Sequence, residues 1–326
     1  MDIENFINAP RKTLMNRIRL ASEELDLNEA MVEKDLWVTL LLRYLFRDSP
    51  WKDHLLFKGG TCLSKCHDVI DRFSEDVDLL LDWRVLGYGV EGPAIEPSRK
   101  KQESSNESLI GRTEQFIDTK FVPTLKEDLS RRLNVHFDIV TRGRDVIVRY
   151  GKQDPTGITD DGVLIEMGPR GSWGTPVRKE LSSYVSKAIP ELDDRTEVRC
   201  IPLEQAYYEK IQILHSAASR GRVPARYSRH YYDVYRIHRK LGRIQFDDLA
   251  LNNNVEYNRR FYPGAGFGYD TMEIGSYRLM PTDDMIGPLR EDYAHMRDMI
   301  FGDIPSLEDI LTEISQVEDE LNSGAV

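Results

Sequence analysis

At 326 residues, with 40% hydrophobic and 30% charged residues, the chain has the composition of a folded globular protein, which excludes an intrinsically disordered one. Its length allows about two domains with ordinary cores. No apolar run approaches the roughly 18–20 residues of a membrane-spanning helix, and the N-terminus, MDIENFINAPRK, lacks the apolar segment of a secretory signal. Three cysteines, two of them four positions apart, provide no disulfide framework, so the predicted location is the cytoplasm, without a membrane partner.

The charge of the chain is unevenly distributed. A net charge of −11 argues against a protein that coats nucleic acid generally. Residues 209–243, the basic island, carry nine Lys or Arg against two acidic side chains, a net charge of +7, so the remainder of the chain carries −18. A basic island can bind a polyanion locally, and a solvated helix face has the same composition, so both interpretations stay open.

Two helices and a strand–turn–helix–strand unit are predicted at the start of the chain. Apolar residues at helical spacing over 14–25 predict one helix, and residues 32–46, which are apolar nearly all round, predict a buried second helix. A short apolar run at 55–57 predicts a buried strand that stops at a glycine pair. A helix over 61–70 and a second strand over 75–81 follow.

The second of these strands contains paired acids. Side chains two positions apart on a strand point the same way, so Asp76 and Asp78 share one face while Val77 and Leu79 pack on the other. Two neighbouring carboxylates repel each other unless a cation lies between them. The glycine pair that opens the helix offers backbone N–H groups to an anion. Together the two features indicate a phosphate bound beside a divalent metal ion.

The central part of the chain changes from loop to helix to sheet. Residues 87–108, rich in Gly, Pro, Ser and Lys, are predicted to form a mobile loop that acts as a lid over the site. Helical spacing returns over 109–133, with Pro123 as a break or kink. Strand-like runs follow at 135–140, 145–150 and 163–167.

The last of these strands places one acidic residue, Glu166, inside an apolar run. A buried carboxylate without a partner is costly, so it either pairs with a cation or binds a metal ion. Glu166 is therefore the candidate third acidic metal ligand. The alternative is a salt bridge with Arg170 or Arg178.

The C-terminal part of the chain is mainly helical in pattern. Helices are predicted at 202–218, 227–241, 288–299 and 306–322. An aromatic and glycine-rich segment, 252–281, is predicted to be irregular, and Ser306 with Asp309 forms a capping box for the last helix. The predicted fold class is α+β, with a mixed sheet and flanking helices in a domain at 1–198 and a mainly helical domain at 199–326.

These motifs resemble those of the AbiEii-type nucleotidyltransferase toxins, abortive-infection members of the polymerase-β-like nucleotidyltransferase superfamily. The superfamily pattern is an apolar residue, Gly, then Gly or Ser, a short helix, and Asp-x-Asp on a strand. FKGG at 57–60 and DVD at 76–78 match it. The family also carries a Lys on a later helix and an Asp in a run like RHYYDLYRL, matched here by Lys210 and by Asp233 within RHYYDVYR.

The resemblance extends over most of the chain. EKD at 33–35, in the second predicted helix, and DYAHMRDMIFGDIP at 292–305 also match the family. The glycine and Asp-x-Asp motifs alone are moderately specific, whereas four blocks in the same order are strongly so. Residues 87–108 and 245–280 lie outside any motif.

The resemblance implies an enzyme that transfers a nucleoside monophosphate from an NTP, with Mg²⁺ as cofactor. It implies metal ligation and catalysis by Asp76 and Asp78, with Glu166 as the third ligand. Lys210 and Asp233 are carried over as active-site residues, with Asp233 either orienting Lys210 or deprotonating the acceptor hydroxyl. The NTP-binding residues are Lys58, Gly59, Gly60, Thr61, Ser74 and Lys210.

The resemblance also implies an acceptor and a partner. The acceptor is RNA, best represented among related toxins by the tRNA 3′ end, whose modification would stop aminoacylation and translation. Four arginines of the basic island would bind the RNA backbone, because phosphate contacts supply position and affinity without sequence readout: Arg220, Arg222, Arg226 and Arg229. A cognate antitoxin is expected.

Two other functions are compatible with the sequence. One is a transferase that nucleotidylates a protein or a small molecule, and the other is a non-catalytic nucleotide-sensing module, against which the intact Asp-x-Asp argues. Cys62, Cys66 and His67 do not match a haem or zinc spacing, so the cysteines are interpreted as packed core thiols.

Overall fold

The computed structural model describes residues 1–151, 162–171, 175–242, 255–258, 260–262 and 268–323. Among these residues, seven strands form one mixed sheet in the order β3-β4-β5-β2-β1-β7-β6. The strands are β1 (Leu55–Lys58), β2 (Val77–Leu81), β3 (Phe137–Arg142), β4 (Asp145–Tyr150), β5 (Val163–Gly168), β6 (Val177–Leu181) and β7 (Thr196–Cys200). No strand follows β7 in the part of the chain that is described, which confirms the predicted α+β class with a mainly helical C-terminal part.

Helices flank the sheet and form the C-terminal part. They are α1 (Ile3–Ile7), α2 (Arg11–Leu25), α3 (Glu29–Arg43), α4 (Gly59–Lys65), α5 (Arg99–Phe116), α6 (Val122–Arg132), α7 (Tyr184–Ala188), α8 (Leu203–Arg220), α9 (Ser228–Leu241), α10 (Asp283–Met296) and α11 (Leu307–Ser323). A π-helical turn, Tyr44–Asp48, extends α3. No helix within the described ranges combines the length and the apolarity needed to cross a bilayer.

The register of the central strands places three charged residues side by side. β1 and β2 are antiparallel, with Lys58 opposite Asp78. β2 and β5 are parallel, with Asp78 opposite Glu166. β1 also pairs in parallel with β7, where Phe57 lies opposite Cys200. The centre of the sheet therefore carries Lys58, Asp78 and Glu166 in adjacent positions.

Two hydrophobic cores hold the molecule together. The first lies between the sheet and helices α1 to α7 and includes nearly all of the apolar face of α3. The second joins α8, α9, α10 and α11, and Leu63, Val69 and Ile70 extend into it from the segment around α4. Burial of apolar area is the dominant stabilising contribution in both. The domain boundary proposed at 198/199 falls inside β7 and stays a prediction.

Several predicted elements are shifted or missing. The helix predicted over 61–70 ends at Lys65, because Asp68 has a left-handed backbone with φ 49° and the next residues bond elsewhere. The Phe73 N–H donates to the carbonyl of Met299 and the Phe301 N–H to that of Asp71, so tertiary pairing replaces helix. Strands β6 and β7 were not predicted from the sequence, since both are five residues long and polar in part.

The predicted loop over 87–108 is wrong in its second half. Helix α5 begins at Arg99, and the Ser98 hydroxyl accepts a hydrogen bond from the Lys101 N–H as its cap. Gln102 and Asn106 are buried, and the Asn106 amide donates to the carbonyl of Phe261. This half is a packed helix and not a mobile lid.

Other predictions on helices have mixed outcomes. Pro123 lies in the first turn of α6, directly after a π-helical turn, Ile117–Phe121, that joins α5 to α6, so the predicted break takes the form of a local change in helix type. The capping box is confirmed, because the Ser306 hydroxyl accepts from the Asp309 N–H and the Asp309 carboxylate accepts from the Ser306 N–H. Within the segment predicted as irregular, residues 255–258 form a helical turn and Tyr269–Thr271 a 3-10 turn, whereas 272–281 form no helix or strand, as predicted. Residues 252–254, 259 and 263–267 lie outside the described residues.

Candidate active site

The centre of the site is an acidic cluster formed by Asp76, Asp78 and Glu166. Asp78 lies on β2 opposite Glu166 of β5, and Asp76 directly precedes β2. Val77 and Leu79 on the other face of β2 are buried, as their alternation predicts. The structure thus brings the three predicted metal ligands to one face of the sheet.

Glu166 differs from its prediction in one respect. The residue is exposed, so the expectation of a buried carboxylate is wrong. Arg178 pairs with Glu197 at 2.5 Å and Arg170 lies over the ring of Tyr262, so among the described residues neither alternative salt bridge is present. The charge that Glu166 faces is the carboxylate of Asp78.

The acidic cluster is short of positive charge. Burial raises the pKa of Asp78 to about 6, and the negative charges of Glu166 and Asp76 add to the effect. Lys58 and Lys210 act in the opposite direction without restoring an ordinary value. A cation bound between the carboxylates would remove the repulsion and is the arrangement that the cluster favours.

The glycine pair makes room for this cluster. Gly59 has φ +79°, and a Cβ there would lie 1.7 Å from the Asp78 Oδ2 atom. A Cβ on Gly60 would lie 2.6 Å from the Ser74 Oγ atom and 2.8 Å from an Arg72 Nη atom. Only glycine therefore allows the start of α4 to approach the acids so closely.

The two predicted hydroxyl groups have different surroundings. Thr61 is fully buried, and its hydroxyl donates to the Ser74 Oγ atom at 3.0 Å. Ser74 is partly exposed and lines a pocket of about 110 Å³ beside Asp76. Thr61 therefore orients Ser74, and Ser74 is the hydroxyl that faces the pocket.

Lys58 is held between two acids. Its Nζ atom lies 3.0 Å from a carboxylate oxygen of Glu209, the residue before Lys210 on α8. Burial opposes the charge of Lys58, but Glu209 and Asp78 outweigh it and raise the pKa of the ammonium group. Glu209 was not predicted as a site residue, and nothing in its local sequence distinguishes it.

A second charged cluster, the Asp233 node, is formed by Asp233, Arg72 and Lys210. Arg72 donates two hydrogen bonds to the fully buried Asp233 carboxylate, at 2.8 Å and 2.9 Å. The Lys210 Nζ atom lies 2.9 Å from the same carboxylate. Burial disfavours the Asp233 anion, yet Arg72 and Lys210 hold its pKa well below the usual range.

This geometry distinguishes between the two roles predicted for Asp233. A carboxylate with a low pKa, enclosed by two cations, is a poor proton acceptor at neutral pH. The same contacts fix the position of Lys210. Asp233 is therefore placed to orient Lys210 and not to deprotonate an acceptor.

The surroundings of the Asp233 node carry further positive charge. Burial, aided by Arg72, lowers the pKa of Lys210, and burial and Arg72 also lower that of Arg229. Burial and Lys210 lower the pKa of His230, whose Nδ1 atom lies 3.3 Å from the Lys210 Nζ atom. Several cations thus share one carboxylate, and such an excess of positive charge favours an anionic ligand.

The EKD block of α3 supports both ends of the glycine and Asp-x-Asp segment. Lys34 forms a buried ion pair of 2.8 Å with Glu75, the neighbour of Asp76. Asp35 pairs with Lys65 at the end of α4, with both side chains 5% exposed. These contacts give the EKD residues a structural role, because removing one partner of a buried ion pair leaves the other charge buried without compensation.

The DYAHMR block supports the start of α9. The Asp292 carboxylate accepts hydrogen bonds from the backbone N–H groups of Arg226 and Ser228, at 2.5 Å and 2.7 Å. Arg226 and Arg229 consequently line the pocket beside Asp76. Two of the four predicted RNA-binding arginines therefore lie at the pocket beside Asp76.

The basic island divides into two parts. Arg222 and Arg226 are exposed, and Arg220 is partly exposed. In contrast, Arg236 donates to the carbonyl of Val69, and the Lys240 ammonium donates to those of His67 and Asp68. The last basic residue of the island, Arg243, lies outside the described residues.

Comparisons with known proteins agree with the motifs. The model of the nucleotidyl transferase AbiEii toxin family of type IV toxin–antitoxin systems matches residues 41–313. The structure is similar to MenT4, a nucleotidyltransferase toxin from Mycobacterium tuberculosis H37Rv, with 15% identity, a TM-score of 0.46, and coverage of 93% of this chain and 89% of that one. It is also similar to JHP933 from Helicobacter pylori, with 13% identity, a TM-score of 0.44, and coverage of 91% and 94%. The chain has no significant match among curated protein sequences.

The family match covers most of the chain and includes the glycine pair, the Asp-x-Asp motif, Lys210 and Asp233. The recognition made from the motifs is thereby confirmed. The protein belongs to the AbiEii family of nucleotidyltransferase toxins of type IV toxin–antitoxin systems.

Proposed function

We propose that the protein is a Mg²⁺-dependent enzyme that transfers a nucleoside monophosphate from an NTP to RNA, at the 3′ end of tRNA. The observation that carries the proposal is the convergence of Asp76, Asp78 and Glu166, with Asp76 at a pocket that Arg226 and Arg229 also line. Carboxylates that repel one another favour the binding of metal ions between them, and neighbouring arginine side chains favour the binding of phosphate groups. Family membership supplies the nucleotidyl transfer and implies an antitoxin as partner.

The acidic cluster fits magnesium. Its donors are carboxylate oxygens, which Mg²⁺ prefers, and three side chains leave coordination positions for substrate phosphates and water. Bound Mg²⁺ would align the attacking hydroxyl with the α-phosphate and neutralise the pyrophosphate leaving group. The raised pKa of Asp78 supports the assignment, because Lys58 and Lys210 compensate the charge of its carboxylate only in part.

The NTP would lie between the glycine pair and the Asp233 node. Gly59 and Gly60 leave the backbone at the start of α4 open to the triphosphate, and the Ser74 hydroxyl faces the same space. Lys210, oriented by Asp233, supplies a positive charge as phosphate charge shifts during transfer. Lys58 and Thr61 act indirectly, through Asp78 and Ser74 respectively.

The RNA acceptor would approach along the exposed part of the basic island. Arg226 and Arg229 lie at the pocket, where a terminal nucleotide would meet the acidic cluster. Arg220 and Arg222 lie at the end of α8 and just beyond it, where they would bind backbone phosphates further along the strand. These contacts give position and affinity without reading sequence.

The test is a transfer assay on purified protein. Total tRNA, Mg²⁺ and each of the four α-labelled NTPs are incubated with the wild type and with Asp76→Asn. We expect label on tRNA with a preferred NTP and none with the variant or with chelator. Periodate oxidation of the tRNA 3′ terminus should abolish labelling.

Other outcomes would identify the alternatives. Label that survives periodate treatment would place the transfer elsewhere on the RNA. Label on a protein or small molecule, with none on tRNA, would overturn the RNA acceptor. Nucleotide binding without transfer to any acceptor would indicate a sensing module and overturn the enzymatic proposal.

A further inference from the structure

All three cysteines of the chain meet at one place, although two belong to α4 and its end and the third to β7. Cys62, Cys66 and Cys200 are buried, and His67 is 8% exposed beside them. Donor atoms of Cys62, His67 and Cys200 all lie within 4.8 Å of one another. Cys66 is the residue that follows α4, and its thiol interacts electrostatically with those of Cys62 and Cys200. Packing of small apolar side chains does not require a histidine among three thiols.

We infer that Cys62, Cys66, Cys200 and His67 form a structural zinc site that joins α4 to the junction between β7 and α8. Zinc prefers four thiolate and imidazole ligands in a tetrahedron, and its structural sites are closed to solvent, as this cluster is. Zn–S distances of about 2.3 Å place neighbouring sulfur atoms about 3.8 Å apart. The Cys62 and Cys200 sulfur atoms, which lie within 4.8 Å of each other, therefore need to approach by at most about 1 Å, and Cys66 supplies the fourth ligand from the end of α4.

One hydrogen bond sets the tautomer of the His67 ring. Its Nε2 atom lies 2.9 Å from the carbonyl oxygen of Ile201, a hydrogen bond that requires the proton on Nε2. The lone pair is then on Nδ1, the atom available for a metal ion. A histidine that ligates a metal usually donates its other ring N–H to a carbonyl or carboxylate, which fixes the tautomer.

Two ammonium groups lie near the cysteine cluster. The positive charge of Lys65 acts on Cys66, and the Lys240 ammonium binds the carbonyls of His67 and Asp68. Zinc bound by three thiolates and a neutral histidine carries a net charge of −1, which the Lys240 ammonium offsets, because Lys65 is paired with Asp35.

The position of the cluster suggests what the ion would do. Cys62 lies on α4 three residues after Gly59, and Cys200 precedes α8, which carries Lys210. The backbone already joins these elements where the Ile201 N–H donates to the carbonyl of Phe57. An ion at this point would connect the glycine pair rigidly to the helix of the Asp233 node. The inference concerns metal content and does not rest on nucleotide transfer.

The test measures metal binding directly. Full-length protein purified without chelator is analysed for zinc by mass spectrometry of the elements, beside a triple variant with Cys62→Ala, Cys66→Ala and Cys200→Ala. We expect one zinc ion per wild-type chain and no zinc above background in the triple variant. Because removal of three buried thiols can also unfold the variant, a second measurement uses the wild type and the single variant Cys66→Ala.

That second measurement replaces zinc by Co²⁺ after chelation. Thiolate ligation produces a sulfur-to-cobalt charge-transfer band, which carboxylates of the acidic cluster cannot give, and the chain has only three cysteines. We expect the band at one Co²⁺ per chain, its loss on addition of zinc, and at least about 10-fold weaker binding in Cys66→Ala. Absence of the band, no zinc above the triple variant, or a mass lower by two hydrogens, which signals a disulfide, would each overturn the inference.

Discussion

The acidic cluster and the Asp233 node contain the same type of side chain in opposite electrostatic situations. In the cluster, Asp78 faces two other carboxylates and its pKa is raised to about 6. In the node, Asp233 is more deeply buried, yet Arg72 and Lys210 hold its pKa far below the usual range. The difference shows that burial alone does not determine the role of an acid. The number of cations supplied by the protein determines it.

The contrast assigns complementary tasks to the two regions. Three acids without enough positive charge leave a place for metal ions, whereas two cations on one carboxylate leave a net charge of +1 for an anion. A metal–triphosphate complex carries both kinds of charge and fits between them. The comparison therefore predicts that substitutions in the cluster affect chemistry most and that substitutions in the node affect stability as well.

The largest expected effect is on transfer by Asp78→Asn. The substitution keeps the shape of the side chain and removes a metal-ligating charge, so we expect a loss of about 10³–10⁴-fold in kcat/KM, or about 4–5.5 kcal/mol. The measurement is initial-rate transfer of label from the preferred NTP. Retained activity in Asp78→Asn would contradict the metal-binding role of the cluster.

The next effect is the loss of stability in Asp233→Ala. Removing the carboxylate leaves Arg72 and Lys210 buried beside each other without compensation, which should cost about 3–4 kcal/mol in the free energy of unfolding. Urea denaturation measures it. The matched control is Asp71→Ala, which breaks the 2.6 Å pair with Arg236 at a more exposed position and should cost under about 1 kcal/mol. Equal losses in the two variants would contradict the distinction.

The raised pKa of Asp78 predicts a smaller effect of opposite sign. A carboxyl whose pKa rises from 3.8 to about 6 on folding favours the folded state below pH 3.8, and this contribution is lost as the pH rises through 6. In chelator at pH 7.5, Asp78→Asn should therefore be more stable than the wild type by about 1–2 kcal/mol, and the gap should close near pH 4. Mg²⁺ should narrow the gap at pH 7.5.

Denaturation at both pH values, with and without Mg²⁺, tests the effect. Asp233→Asn is the control, because its parent carboxyl has a lowered pKa and should give no stabilisation at pH 7.5. If Asp78→Asn is less stable than the wild type in chelator at pH 7.5, repulsion among the carboxylates of the acidic cluster does not destabilise the folded protein.

Much of the acidic cluster could be predicted from the sequence, because its residues follow local rules. The alternation of Val77 and Leu79 with the acids fixed the face of the strand, and the glycine pair marked the start of α4. Glu166 was found by its place in an apolar run, but its exposure was not, since the neighbouring strand register decides it. Strand pairing is not encoded in a single segment.

The Asp233 node and the cysteine cluster show what local patterns omit. Lys210 and Asp233 were identified by resemblance, whereas the pairing of Arg72 with Asp233 joins residues 161 positions apart. Cys200 joins Cys62 only because β7, a strand that was not predicted, pairs with β1. The N-terminal half of helix α5 was missed for a different reason. Its polar composition is typical of a loop, and only the tertiary contacts of Asn106 with the carbonyls of Arg260 and Phe261 show that it packs as a helix.

The smallest expected effect concerns the basic island, where the same distinction between compensated and uncompensated charge applies. Arg222 is exposed, whereas Arg236 is bound to the Val69 carbonyl and to Asp71. We expect Arg222→Gln to weaken tRNA binding about 2–5-fold. The slope of the logarithm of the affinity against the logarithm of the salt concentration should fall by about one, which corresponds to one counterion fewer released on binding. Arg236→Gln removes the same charge but should leave the affinity nearly unchanged. Filter binding at several salt concentrations measures the tRNA affinity of both variants. Equal losses of affinity would show that RNA binding depends on the net charge of the basic island and not on which arginines lack a partner within the protein.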